Sequence, residues 1–396
     1  MDLQGTLMPA LRATLLYGFA IFAMFFGSGN LVFPIQIGQT AGSEWLAGFA
    51  GLVMTGILLP LSGLFVIKLH RGSYQAFFAE AGKVAGFVLP LFTLSLLGAF
   101  GVVPRCITVA FGSMQYVSPE LGLMPFSLIF CVLTFFLCLN DRLMVTLLGK
   151  WMSPLLLLSL VILTVGAALK APEAPVTLAP VDALKTGFLT GYQTMDLFAA
   201  FFFSSLIFAQ IQAEMPESVS HRDTVRFALK PALLGALLLA LVYLGFVALG
   251  AHFSSLLTNV EPAAMLPAIA LQLNGTWAVV LLAIVMFLSC LTTAVALNNL
   301  YARYLSRLLG IEARGYRWVL LATTVVAFLI SLRDFRGIAA FLAPMLEYSY
   351  PGLIALTILS ICFRKQFFIK KAIFYTATAI ACLPPVLAWA KSSGIF

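Results

Sequence analysis

The sequence predicts an all-α integral membrane bundle of about eleven spans, built as two five-span repeats of inverted topology plus one peripheral span. Three observations predict it. First, of 396 residues 62% are hydrophobic and 10% charged, with mean hydropathy +1.04. A soluble domain has about 45–50% apolar and about 25% charged residues, so a water-facing globule cannot hide this much apolar surface. Second, the apolar residues fall into eleven runs near the roughly 20 residues a helix needs to cross hydrocarbon. Third, runs one and six carry helix-poor or polar residues at corresponding places, as expected where repeats of odd span number invert.

In order, the spans are expected at 11–39, 45–69, 85–116, 124–140, 144–169, 186–209, 229–252, 264–308, 318–332, 337–363 and 372–390. Together they form a single membrane domain, 1–396. The first repeat would cover 11–169, the second 186–363, and 364–396 would hold peripheral span 11. Run eight is too long for one plain span. A short external helix ending near Asn274-Gly275 is expected to precede it. The segment 170–185 carries Pro172, Pro175 and Pro180 and is expected to be extended. No loop is long enough for a soluble domain.

Orientation follows from Lys and Arg. With the N-terminus inside, 17 of the 23 fall in cytoplasmic segments, 5 in external ones, and Arg105 lies within a span. This positive-inside bias predicts a cytoplasmic N-terminus and, after eleven spans, an external C-terminus. The net charge of +8 therefore reads as membrane orientation, not nucleic-acid binding, because the basic residues lie between apolar runs. The N-terminus shows no basic n-region and no cleavage site, so no removed signal peptide is expected. All six cysteines (Cys106, Cys131, Cys138, Cys290, Cys362, Cys382) fall in apolar runs without metal-ligand spacing. They read as reduced, small hydrophobes.

Span 1 reads MFFGSGNLVFP from Met24 to Pro34. Gly costs about 1 kcal/mol in a helix interior, and Gly27, Ser28, Gly29 and Asn30 are consecutive. They invite the helix to stop and restart. Freed backbone groups at membrane depth are tolerated only where protein or a water-lined cavity satisfies them. The restarted half offers N–H groups and a positive dipole to a carboxylate, and the finished half offers carbonyls to a cation. Close helix packing at small residues is the other reading. Span 6 reads TGYQTMDLFAAFFF, Thr190 to Phe203, with Asp196 as the residue that most needs explaining.

Charged residues within spans must face the bundle interior or reach water, since each costs at least about 2.5–3.5 kcal/mol on insertion scales. Arg105, Asp196 and Glu347 are the three here, and an intramembrane charge network among them is expected. Asp196 could contact a substrate ammonium or a cation, or be a structural partner of Arg105. Glu347, flanked by Pro344 and Pro351, could lie on a gating element or reach water near the external end. In span 8, Ser289, Thr292 and Thr293 supply hydroxyls that with carbonyls would suit a hard cation such as Na⁺. Thr hydroxyls also bond back to their own helix.

FFGSGNLVFP, VPR at Val103–Arg105, GYQTMD at Gly191–Asp196 and CLTTAV at Cys290–Val295 resemble the branched-chain amino acid:cation symporters, the bacterial branched-chain amino acid transport system II carriers. The order and spacing of the motifs match, over most of the chain. The resemblance implies a leucine-transporter-like, five-plus-five inverted-repeat fold. By position, backbone N–H groups at Gly27, Ser28, Gly29 and Asn30 would bind the substrate carboxylate. Thr194, Met195 and Asp196 would face the substrate amine. Carbonyls near Ala23 and Phe26, the Ser289 carbonyl, and the Thr292 and Thr293 hydroxyls would hold Na⁺. Phe25, Phe198 and Leu297 would be walls for an aliphatic side chain, or ordinary core. The family usually carries a twelfth span. Eleven are found here, and the extra one lies outside the five-plus-five core.

The function expected is import of leucine, isoleucine or valine by Na⁺ symport, with no cofactor besides the coupling ion. H⁺ coupling through Asp196, or another apolar amino acid such as methionine, stays open. A membrane-embedded enzyme is disfavoured: His70, His221 and His252 lie at span ends or in loops, and no HExxH occurs. A channel would need a charged ring or repeated filter sequence, and neither is present.

Overall fold

The computed structural model describes residues 3–139, 158, 161, 172–214, 221–311, 315–363 and 366–392. Span 5, expected at 144–169, lies outside the described residues apart from positions 158 and 161. The other ten expected spans are all helical.

Span 1 is two helices, Leu3–Phe25 (half-helix 1a) and Ser28–Ala41 (1b), meeting at a bend of 73°. The chain breaks where the glycines stand. Gly27 is extended, with φ −113° and ψ −164°. Its N–H turns to the Phe25 carbonyl (2.9 Å) instead of reaching back four residues to Ala23, as a continuing helix would require. The same N–H is met by Asn30 Oδ1 at 3.3 Å, so the third residue of 1b caps its own N-terminus.

Span 6 breaks in the same manner. Its halves are Pro180–Tyr192 (6a) and Asp196–Glu214 (6b). Between them Met195 adopts φ 61°, a left-handed conformation that costs a non-glycine residue about 1–3 kcal/mol unless its surroundings impose it. Met195 is fully buried. Half-helix 6a begins six residues before the expected start of the span. Pro180 does not extend the loop. It occupies the first turn of a helix, where its missing N–H would be unpaired anyway. Only the stretch before it is non-helical, and there Val176 bridges to Gly42.

The remaining spans build the frame. Span 2 runs through Trp45–Val53, a π-helical turn at Met54–Leu58, and Leu59–Leu69. Span 3 is Lys83–Leu97 and Val102–Met114, separated by non-helical residues from Gly98 to Gly101. Span 4 is Leu123–Cys138 and span 7 is His221–His252. The helix Met265–Asn274 ends at Gly275 as expected, and span 8 follows as Thr276–Leu308. Spans 9, 10 and 11 are Tyr316–Ser331, Phe335–Cys362 and Phe367–Ser392.

Backbone contact fixes the two outer half-helices. A Cβ on Gly38 of 1b would stand 1.8 Å from the Val247 carbonyl of span 7. One on Gly187 of 6a would stand 1.9 Å from the Gly48 carbonyl of span 2. Only glycine permits this approach, so 1b rests on span 7 and 6a on span 2.

At the bundle end expected to face the cytoplasm, Glu80 ties three elements together. It pairs with His70 Nε2 at 3.0 Å and Lys370 Nζ at 2.8 Å, and accepts from the Ser360 hydroxyl. Burial works to raise the Glu80 carboxyl, but hydrogen bonds from His70, Lys370 and Ser360 outweigh it and bring it down to about 2. Burial likewise works to lower His70, but its bonds to Glu80 and the Val66 carbonyl leave it raised above its ordinary value.

Candidate functional site

The two helix breaks meet. Gly27, Ser28, Gly29 and Asn30 are all buried, and a Cβ on Gly29 would lie 3.2 Å from Thr194 Cα. Thr194 donates to the Gly191 carbonyl (2.9 Å) and its oxygen faces the Asp196 N–H at 3.5 Å. That contact gives 6b a side-chain acceptor near its first N–H groups.

Asp196 begins 6b and is 3% exposed. Its Oδ2 accepts from Asn30 Nδ2 at 2.8 Å and from the Tyr243 hydroxyl at 3.1 Å, and Asn30 Nδ2 also reaches Tyr243. One carboxylate thus joins 1b, 6b and span 7 through charge-assisted hydrogen bonds, roughly twice as strong as neutral ones. Tyr243 was missed in the sequence. Its only signal there is a lone hydroxyl amid the apolar run of span 7.

The expected charge network divides. Arg105 is fully buried on span 3, yet no ion pair joins it to Asp196. Its Nη1 donates to the Gln193 carbonyl at 2.6 Å, at the finished end of 6a. Its guanidinium carbon lies 5.4 Å from the centre of the Phe33 ring. Nε and Nη2 have no hydrogen-bonding partner among the described residues. The negative end of a half-helix has taken the place expected for Asp196. Glu347 is not part of the network. The buried stripe of span 10 comprises Leu342, Leu346, Tyr350 and Leu353. Glu347 lies off that stripe and is exposed on the bundle surface, near the middle of span 10.

On the opposite side of the span 1 break, span 8 approaches. The Ser289 hydroxyl donates to the Phe26 carbonyl at 3.3 Å. A Cβ on Gly27 would meet Thr293 Cγ2 at 3.1 Å and Oγ1 at 3.6 Å. Thr292 is half-buried and donates to the Ser289 carbonyl at 2.8 Å, the bond back to its own helix, while its oxygen keeps acceptor capacity. The Ala23 carbonyl, deprived of Gly27 as its helical donor, lies one turn before Phe26. Carbonyls and hydroxyls of spans 1 and 8 are therefore gathered as a neutral set of hard oxygens. The Ser289 hydroxyl belongs to the hydroxyl set expected from the sequence; the family resemblance pointed only to its carbonyl.

Of the expected apolar walls, Phe198 is fully buried and stacks on Tyr350 at 4.9 Å between ring centres. Tyr350 in turn meets Tyr192 at the end of 6a, at 4.4 Å. Phe25 is buried edge-on to Phe203. Leu297 is buried one turn past Thr293 on the same helix face.

This arrangement was compared with known proteins. The sequence profile described as "Branched-chain amino acid transport protein" matches residues 10–396. The chain belongs to that family. The transporter is 28% identical to the branched-chain amino acid permease BrnQ of Corynebacterium glutamicum, covering 96% of this chain and 90% of that protein. It is 30% identical to the permease BraB of Bacillus subtilis, covering 94% and 83%. Its fold is that of the leucine-transporter-like proteins. MHP1, a nucleobase-cation-symport-1 family transporter in a closed conformation, superposes with TM-score 0.61 at 16% identity, covering 96% of this chain and 93% of that one. MhsT in complex with L-phenylalanine superposes with TM-score 0.55 at 13% identity, covering 94% and 97%. The protein is a multi-pass membrane transporter and not an enzyme.

Proposed function

We propose that the transporter imports leucine, isoleucine or valine by Na⁺ symport. The observation that carries the coupling ion is the gathering of the Phe26 carbonyl with the Ser289 and Thr293 side chains at the break of span 1. A small hard cation binds neutral oxygens of this type, and soft or imidazole ligands are not needed. Among the described residues no group of three or more His, Cys, Asp or Glu could hold a metal ion.

The substrate carboxylate binds at the N-terminus of 1b, where Ser28, Gly29 and Asn30 present backbone N–H groups. Asp196 and the break of span 6 face the ammonium, and Phe198 with Phe25 contacts the aliphatic side chain. Na⁺ bridges 1a to span 8 and so favours one state of the bundle. Because a ligand shifts an equilibrium only by its differential affinity, substrate and Na⁺ act together when both bind the same closed state. The charge bias supports a cytoplasmic N-terminus, and import would follow the inward Na⁺ gradient.

A second reading has its own observation. Asp196 is buried without a basic partner in ion-pair range, and a proton could neutralise it in place of a cation. Uptake of radiolabelled leucine, isoleucine, valine and methionine into proteoliposomes separates the two. Uptake that requires an inward Na⁺ gradient supports the first reading. Uptake driven by H⁺ alone transfers coupling to Asp196. Preference for methionine would move the substrate, and absence of all four activities would overturn the substrate reading.

A further inference from the structure

We propose that Arg105 is the counter-ion of the substrate carboxylate, so that recognition rests on a fixed guanidinium of span 3 as well as on the backbone of 1b. The inference deepens the amino-acid reading and rests on it.

Arg105 is the largest fully buried side chain among the described residues. Burying a cation is expensive unless it is paired and hydrogen-bonded. Here one nitrogen is paired and two are not: Nη1 meets the Gln193 carbonyl at 2.6 Å, whereas Nε and Nη2 find no acceptor among the described residues. No carboxylate of the described protein forms an ion pair with it. Native structures leave few buried donors unsatisfied, and two on one guanidinium point to an acceptor that the described residues do not supply.

The position indicates what that acceptor is. The guanidinium lies at the finished end of 6a through Gln193 and over the Phe33 ring of 1b. A Cβ on Gly29 would lie 3.3 Å from the edge of the same ring. Arg105 therefore sits between the two breaks, beside the half-helix whose N-terminal N–H groups suit an anion. Nε and Nη2 form one edge of the planar fork, the edge that receives two carboxylate oxygens side by side. Gln193 Oε1 is also buried without a partner in the same turn, an acceptor suited to an ammonium. A zwitterion satisfies both: its carboxylate on the Arg105 edge, its ammonium toward Gln193 and Asp196. The Phe33 ring fixes the plane of the guanidinium before substrate arrives, so little ordering remains to be done on binding.

The test compares leucine with leucinamide, which keeps the ammonium and side chain but has no carboxylate charge. Equilibrium binding of both is measured on the purified full chain in Na⁺, for wild type, Arg105→Gln and Arg105→Lys. Wild type should prefer leucine by on the order of 10- to 100-fold, the range of hydrogen bonds to a charged group. In Arg105→Gln that preference should collapse to within a few-fold. Arg105→Lys should recover part of it, because charge is kept and the fork is lost. A purely structural role would weaken both ligands alike and leave the ratio intact, and that outcome overturns the proposal while import stands. If Arg105→Gln does not fold, wild type alone decides: equal affinity for leucinamide and leucine overturns the inference. Failure of wild type to bind leucine overturns the amino-acid reading and this inference with it.

Discussion

Gly29→Ala adds one methyl group at the point where the two helix breaks touch. The new carbon would lie 3.2 Å from Thr194 Cα and 3.3 and 3.4 Å from two carbons of the Phe33 ring. Carbon atoms pack best at about 3.5–4.0 Å. The ring can tilt, but Thr194 Cα is backbone, held by its own bond to Gly191 and by Met195 in a left-handed turn. Relief therefore requires the breaks to part by roughly 0.3–0.8 Å, given that contact optimum. Overpacking of this kind costs about 1–3 kcal/mol. The cost falls on the state in which the breaks close around substrate, and about 1.4 kcal/mol is tenfold in affinity. Leucine binding should weaken by roughly 5- to 150-fold on that scale, with the protein still inserted and monodisperse. Gly29→Leu, which drives further into Thr194, should abolish binding. Gly122→Ala is the control, because its nearest neighbour would be Pro125 at 3.5 Å, an ordinary contact. Equilibrium binding of radiolabelled leucine to the purified variants reads the effect. Wild-type affinity in Gly29→Ala would refute the claim that the breaks jointly enclose the substrate.

Other consequences follow from the same geometry. Thr293→Ala, alone or with Thr292→Ala, should raise the Na⁺ concentration for half-maximal uptake by at least about tenfold, the scale of losing support at an ion site; an unchanged Na⁺ dependence would remove span 8 from the coupling site. Tyr243→Phe withdraws one of the donors to the Asp196 carboxylate and should destabilise the bundle by about 1–3 kcal/mol, read as a lower melting temperature together with weaker leucine binding. Glu80→Gln tests the latch on His70, Lys370 and Ser360. The contribution of Glu80 is complete above its ordinary 4.5 and is lost as pH falls toward about 2. That of His70 is complete below its ordinary 6.5 and is lost as pH rises through its raised value. The difference in melting temperature between wild type and Glu80→Gln should therefore be greatest from about pH 4.5 to 6.5 and shrink on both sides. A difference that grows steadily with pH would contradict the assignment.

What the sequence disclosed was governed by local chemistry. Helices need long apolar runs in lipid, so the described spans could be placed. Gly27 to Asn30 are poor residues for a helix interior, so the first break was legible to within a few residues; the chain leaves the helix at Phe26 and Gly27, and Ser28 to Asn30 form the first turn of 1b. Span 6 showed only polarity; its break depends on Met195 being forced to φ 61° by packing, which no local propensity announces. The gap in span 3, from Gly98 to Gly101, was not marked in the sequence, where 85–116 reads as one run. Pro180 read as a loop residue because the sequence does not say whether a proline ends an extended stretch or opens a helix. Partners across the bundle were the least legible. Tyr243 and Asp196 are 47 positions apart in the chain, and Glu80 and Lys370 are 290 apart. Arg105 could be recognised as costly, but the Gln193 carbonyl as its partner required the fold.

The central claim is that one pair of helix breaks binds an amino acid and a cation in the same state. Linkage makes this measurable: if Na⁺ raises leucine affinity by some factor, leucine must raise Na⁺ affinity by the same factor. The measurement is leucine affinity of the purified transporter across a Na⁺ titration at constant ionic strength, in wild type and Thr293→Ala. Leucine affinity that rises with Na⁺ in wild type and becomes nearly flat in Thr293→Ala is the predicted result. Leucine binding that is tight and indifferent to Na⁺ in both would contradict it.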